Sequence, residues 1–113
     1  MLEMQQTEAG SGAVVVALAG KLLVGGGGEA IPEVVAELLR QGRKVVIFDL
    51  SALTAIDSTG IGYFIASFNK LAMAGAQMRM AGATGHLLQS FRVSLLDQVF
   101  PFYESVEQAA AAA

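Results

Sequence analysis

The sequence contains no cysteine and a single histidine, His86. Without cysteine there is neither a disulfide framework nor a thiolate metal site, a composition that fits the cytoplasm. One histidine cannot assemble a metal centre, and His86, near the start of a helix, reads as a surface residue rather than a ligand or base. Basic residues are also few: seven Lys and Arg are spread thinly against ten Asp and Glu, for a net charge of −3. Nucleic acid wants a clustered basic face, and an anionic membrane surface wants the same, so neither is expected as a partner. No apolar run approaches the roughly 18–20 residues of a membrane span, because glycines and charges interrupt each one. The opening "MLEMQQTEAG" has no basic region followed by an apolar stretch, so no signal peptide is expected there.

What is present is apolar. Hydrophobic residues make up 54% of the 113 positions and charged ones 15%, a balance that folds rather than stays disordered. The length suits one domain, residues 1–113. Two short β-branched runs, Ala13–Gly20 and Lys44–Leu50, read as strands. Gln77–Gly82 alternates and ends in glycine. Val99–Glu104 reads as a last strand, with Pro101 marking a sheet edge. Leu2–Thr7 adds a further strand.

Helical patterns fall between these runs. Ile31, Val34, Val35, Leu38 and Leu39 form one apolar stripe, with Glu33, Glu37 and Arg40 opposite, Pro32 in the first turn and Gly42 as the stop. Ile61, Phe64, Ile65, Phe68, Leu71 and Ala72 form a second stripe that Gly75 ends. Thr84 is a candidate N-cap for a third helix that turns Leu87, Leu88, Phe91 and Leu95 inward. Ser105–Ala113 is a short terminal helix whose alanines are expected to fray. Alternating strands and helices give an α/β fold, a small mixed sheet of four to five strands with about four helices against it. One crossover helix fits between Lys44–Leu50 and Gln77–Gly82, so those strands are expected to be parallel with a right-handed connection.

Catalytic patterns are sparse. Ser58, His86 and a distant carboxylate are the only source of a nucleophilic triad, and no nucleophile-elbow pattern surrounds Ser58. Gly60–Gly62 lacks the third glycine and the ribose-binding acid of a dinucleotide fingerprint. Gly25–Gly28 lacks the Lys-Ser/Thr ending of a phosphate loop and reads as a flexible turn. No catalytic residue, metal or cofactor is expected.

The stretch "TAIDSTGIG", Thr54 to Gly62, is the most informative. Asp57 is placed to cap the helix by accepting from the backbone N–H of Thr59 or Gly60. Ser58 falls at the first helical position, where free N–H donors and the helix dipole stabilise an anionic group. Gly60 and Gly62 keep the first turn narrow, leaving room for another protein's backbone or for close packing on the sheet. Capping alone selects such residues, and capping is compatible with an exposed, modifiable Ser58.

Lys44 to Gly82 resembles the STAS domain, in particular the anti-sigma factor antagonists. In that family an apolar strand ending in Asp-Leu leads to an apolar-Asp-Ser-(Ser/Thr)-Gly turn, a helix, a glycine break and another strand. The flanks agree in order and length: "LAGKL" (Leu18–Leu22) is similar to the family's "L-x-G-x-L". "LLDQVFPFYESVEQA" (Leu95–Ala109) is similar to its C-terminal pattern. The resemblance implies a binding module rather than an enzyme, acting as a monomer or weak dimer. It implies that Ser58 is the phosphoacceptor, with Asp57, Thr59 and Gly60 completing the motif. The expected partners are an anti-sigma factor serine kinase of the GHKL ATPase type and a PP2C-type phosphatase. The unphosphorylated form would bind the kinase and free a sigma factor. Leu23, Val24, Ile56, Ser58, Thr59, Gly62 and Tyr63 are the candidate partner-facing residues, with Ile61 turned mainly to the core and Tyr63 the better exposed.

One position departs from the family. Many antagonists carry an acid near the phosphoacceptor in "G-x-L-D"; Leu23 stands at that place here, followed by Val24 and four glycines. The competing expectations are a non-switching STAS subunit docking on an ATPase, such as that of a lipid-transport system, and a small-ligand or anion binder using Gly25–Gly28 and Ser58. An enzyme ranks last.

Overall fold

The structure is a computed structural model that describes residues 2–112, the side chain of Ser11 excepted. Five strands and four α-helices follow one another through the described residues: β1 (Leu2–Glu8), β2 (Val14–Leu22), α1 (Ala30–Arg40), β3 (Val45–Ile56), α2 (Ser58–Met73), β4 (Gln77–Ala81), α3 (Gly85–Val93), β5 (Phe102–Tyr103) and α4 (Val106–Ala111). They form one mixed sheet in the order β1-β2-β3-β4-β5. β1 pairs antiparallel with β2, and each later pair is parallel. The parallel relation of β3 and β4 is the one expected from the single crossover. Ala113, the last residue of the expected terminal helix, lies outside the described residues.

Strand order follows chain order from β2 to β5, so three right-handed crossovers put α1, α2 and α3 on the same face. There Val14, Val16, Leu18, Val46, Phe48, Leu50, Met78 and Met80 meet Ile31, Val35, Leu38, Phe64, Leu71, Leu87 and Phe91 in one buried cluster. Phe64 stands edge-on to Phe48 at 5.3 Å between ring centres, and Phe91 touches Phe64, Phe100 and Phe102 at 5.8, 6.4 and 5.2 Å. Such tilted and edge-to-face pairs are the favoured aromatic geometries. On the opposite face, Ala13, Val15, Ile47 and Ala81 meet Ala109 of α4. Arg79, 5% exposed, points to that side and donates to the carbonyl of Ala109 at 2.7 Å and to Oε1 of Gln77 at 2.9 Å. Its cation thus sits on the carbonyl-rich last turn of α4, where positive charge is favoured.

Four expectations need correction. β3 continues well past Leu50 to Ile56, taking in the residues read as a connector. Against β2 it carries one extra residue between the Ala17↔Asp49 and Ala19↔Ala52 pairs, and another between Gly20↔Leu53 and Lys21↔Ala55. Each bulge resets the alternation, so both Leu50 and Leu53 face the helices and the period-two signal is lost. β5 shrinks to two residues because Pro101 has no N–H and Phe100 bonds back to Leu96. In α2 the buried line is Gly60, Phe64, Ser67 and Leu71, while Ile65 and Ala72 are exposed. Ser67 enters that line by returning its hydroxyl to the Tyr63 carbonyl at 2.9 Å. Leu95 lies beyond the end of α3 with φ 61° and is 62% exposed, so it does not join Leu87 and Phe91.

Candidate functional site

All three crossover helices begin at the carboxyl edge of the parallel strands, where loops that carry function collect. α2 is introduced there by Asp57, whose backbone is extended (φ −117°, ψ −176°) as an N-cap requires. Its Oδ1 accepts from the N–H of Gly60 at 2.9 Å, one of the two donors expected from the sequence. Its Oδ2 does something the sequence did not show: it accepts from the N–H of Val24 at 2.8 Å, across 33 residues of chain. These two bonds, the Gly60 donor first and the Val24 donor second, hold the Asp57 carboxyl below its ordinary value of 3.8. Asp57 also donates its own N–H to the carbonyl of Leu22 at 3.3 Å.

Ser58 is the first residue of α2 and is exposed. Among the described residues no hydrogen-bond partner is found for its hydroxyl. Thr59 behind it is half-buried. Gly60 is buried, and its role is packing rather than clearance: a Cβ there would stand 2.6 Å from the Leu22 carbonyl oxygen and 2.9 Å from Ile56. Gly62 is the open one, exposed with nothing within 4 Å of a would-be Cβ.

The β2–α1 loop forms the second wall. Leu22 is fully buried, Leu23 half-buried, and Val24 is 72% exposed. Gly25 and Gly27 turn the chain with φ of 75° and 95°, values a side chain disfavours. Gly28 is buried because the Leu22 side chain and the Tyr63 ring occupy the space of its missing Cβ. Tyr63 is therefore half-buried under the loop, less exposed than expected, and Ile61 is equally half-buried.

On its other side the Ser58 turn borders an open groove against α3, lined by Ile56, Asp57, Ser58, Ile61, His86 and Val93. Val93 is 72% exposed. His86 thus lies across from Ser58, and Thr84 caps α3 by backbone position without a side-chain bond. Sequence reasoning placed His86 at a helix start but had no means of seeing that α3 returns to α2. Its helical spacing was visible; the crossover that sets its neighbour was not. Leu23, Val24, Ile56, Ser58, Thr59, Gly62 and Tyr63 accordingly gather around one turn. Among the described residues there is no cluster of three metal-ligating side chains. No helix of the described residues is long and apolar enough to cross a membrane.

Solved structures share this architecture. An anti-sigma factor antagonist from Mycobacterium paratuberculosis superposes with a TM-score of 0.83 at 20% identity, over 96% of this chain and 91% of its own. The anti-sigma factor antagonist SpoIIAA in its unphosphorylated form gives 0.73 at 18% identity, over 96% and 94%. A sulfate transporter family protein from Wolinella succinogenes gives 0.81 at 15% identity, over 93% and 87%. At these identities the likeness is one of fold. A search among curated proteins found no sequence match. The family comparison is decisive: residues 4–109 match the STAS domain, and the chain belongs to that family.

Proposed function

We propose that this protein is an anti-sigma factor antagonist, a single-domain regulatory module that works by binding other proteins rather than by catalysis. Unphosphorylated, it binds an anti-sigma factor serine kinase of the GHKL ATPase type in the cytoplasm and so frees a sigma factor. Phosphorylation of Ser58 by that kinase ends the interaction, and a PP2C-type phosphatase restores it. The module acts as a monomer or weak dimer, with no direct contact to nucleic acid. The observation that carries this reading is the exposed Ser58 at the first position of α2, immediately after a capping aspartate whose carboxylate is already engaged. Two of the structural neighbours being antagonists supports it.

The physics of such a switch is local. A phosphate on Ser58 adds about −1.5 to −2 charges at neutral pH. The free N–H groups and dipole at the start of α2 accommodate that charge, so the modified chain stays folded. For a docking protein the same group is a bulky anion beside the ionised Asp57, on a rim that also carries Val24, Ile56, Ile61, His86 and Val93. Desolvation and like-charge repulsion then oppose binding. The test is incubation with the cognate kinase and ATP, read by intact mass. Transfer of one phosphate that Ser58→Ala abolishes is the expected result; a Ser58→Asp chain that binds the kinase as tightly as the unmodified one would overturn the switch.

A second reading has its own observations. Leu23 replaces the acid many antagonists keep near the phosphoacceptor, and the transporter-family neighbour carries the same fold. Both favour a non-switching STAS subunit, for which an ATPase is the proposed partner. Absence of phosphate transfer from every candidate kinase, with stable capture by a transporter ATPase, selects it.

A further inference from the structure

The residues between the end of β2 and the start of α1 form a loop with little to hold it. Its internal bonds are the Gly26 N–H to the Leu23 carbonyl at 2.9 Å and the first α1 donors, Ala30 to Gly27 at 3.2 Å and Ile31 to Gly28 at 2.9 Å. Gly25 and Gly27, both at positive φ, touch nothing where a side chain would begin. Among the described residues, one side chain hydrogen-bonds to residues 23–27, and it is Asp57 through the Val24 N–H. The same carboxylate holds the α2 turn through Gly60.

We infer that Asp57 is a positioning residue for the partner surface: one oxygen fixes the Ser58 turn, the other fixes the glycine loop, and Val24 is thereby held beside Ser58 in a single composite face. This rests on the reading of that face as a protein-binding one. The occupant it fits is an uncharged, apolar protein surface with a recess for Val24, since residues 22–28 carry no charge. Capping the helix requires only one acceptor oxygen, as Ser105 shows by accepting from Gln108 N–H at 3.1 Å at the start of α4. The second oxygen of Asp57 is therefore free for the loop, and an aspartate rather than a serine is needed.

That difference supplies the test. Asp57→Ser keeps an oxygen for the Gly60 N–H but is too short to reach Val24. In hydrogen exchange on the full chain, the Val24 amide should speed up by about tenfold or more, the scale of one lost charge-assisted bond. The Gly60 and Ile61 amides should keep their protection. Unchanged exchange at Val24 overturns the inference. Should the variant fail to fold, the unmodified, isotope-labelled protein decides: a through-bond coupling between the Val24 nitrogen and the Asp57 carboxyl carbon supports the tie, and its absence overturns it. Binding of Asp57→Ser to the kinase that phosphorylates Ser58 is expected to weaken about tenfold; wild-type affinity with a released Val24 amide overturns the positioning role. A released Val24 amide in a chain that no kinase phosphorylates leaves the tie standing and removes the antagonist reading instead.

Discussion

The two faces of the sheet are held by different means. On the face under α1, α2 and α3, large side chains interlock, and Phe48, Phe64, Phe91 and Phe100 are each no more than 2% exposed. On the other, α4 rests on a smaller patch of Ala13, Val15, Ile47 and Ala81, fastened by the Arg79 guanidinium. The first arrangement draws its strength from apolar area and close packing, which act together across many residues. The second joins a small apolar patch to one buried polar contact. The difference teaches where the molecule can be altered cheaply. Losing α4 should leave the rest folded, whereas a hole beneath α2 should weaken everything, including the Ser58 turn that α2 carries.

Substitutions that attack each face break or sharpen the contrast. Phe64→Ala should have the largest effect, about 3–5 kcal/mol of unfolding free energy by denaturant titration, because it empties the centre of the aromatic group. A loss below about 1 kcal/mol would remove the distinction between the faces. Gly60→Ala should follow at about 1–3 kcal/mol, since the new methyl meets the Leu22 carbonyl at 2.6 Å and must push α2 off β2. Arg79→Met should cost about 1–3 kcal/mol by leaving the Ala109 carbonyl without its donor. Hydrogen exchange would rise in Val106–Ala111 alone, and a rise spreading into α2 would argue against a separable back face.

Acid should act more gently. The Asp57 and Glu8 carboxyls are held below their ordinary values, by backbone N–H groups at Asp57 and by Arg43 at Glu8. Groups depressed on folding contribute their stability above the ordinary carboxylate range, and lose it as pH falls through the folded values. Tm should therefore hold level with respect to these groups from neutral pH to about 5 and decline below about pH 4. A flat Tm down to pH 3 would exclude the two contacts as sources of stability. Last, Arg40→Ala removes an ion pair at 2.6 Å whose side chains are 67% and 52% exposed, and no measurable change in Tm is expected.

Much of this was legible in residues that report their surroundings locally. β2, α1 and β4 follow from runs and stripes, and the Asp57 cap follows from residue type and position. β3 reads as ending at Leu50 because its bulges break the alternation that betrays a strand. Ile65 reads as buried from its spacing, but Gly60 and Ser67, neither of them apolar, occupy the buried line of α2 in its place. The site was half legible. Asp57 and Ser58 announce themselves, but the Val24 contact runs through a backbone N–H that every residue except proline possesses, and no side chain marks it. Arg79 was equally silent, since a strand arginine reads as exposed until a helix is laid across it.

The run Gly25–Gly27 has a consequence for recognition. Fixing a backbone residue costs about 1–2 kcal/mol in conformational entropy, and glycine, with the widest freedom, lies at the high end. A protein closing over this loop must meet that cost at each glycine it immobilises, so its affinity falls below what the contact area alone suggests. The same freedom lets the loop settle against partners of different shape. Gly25, Gly26 and Gly27 thus exchange tightness for breadth, and shortening the run by one should narrow the range of partners accepted while strengthening the one that still fits.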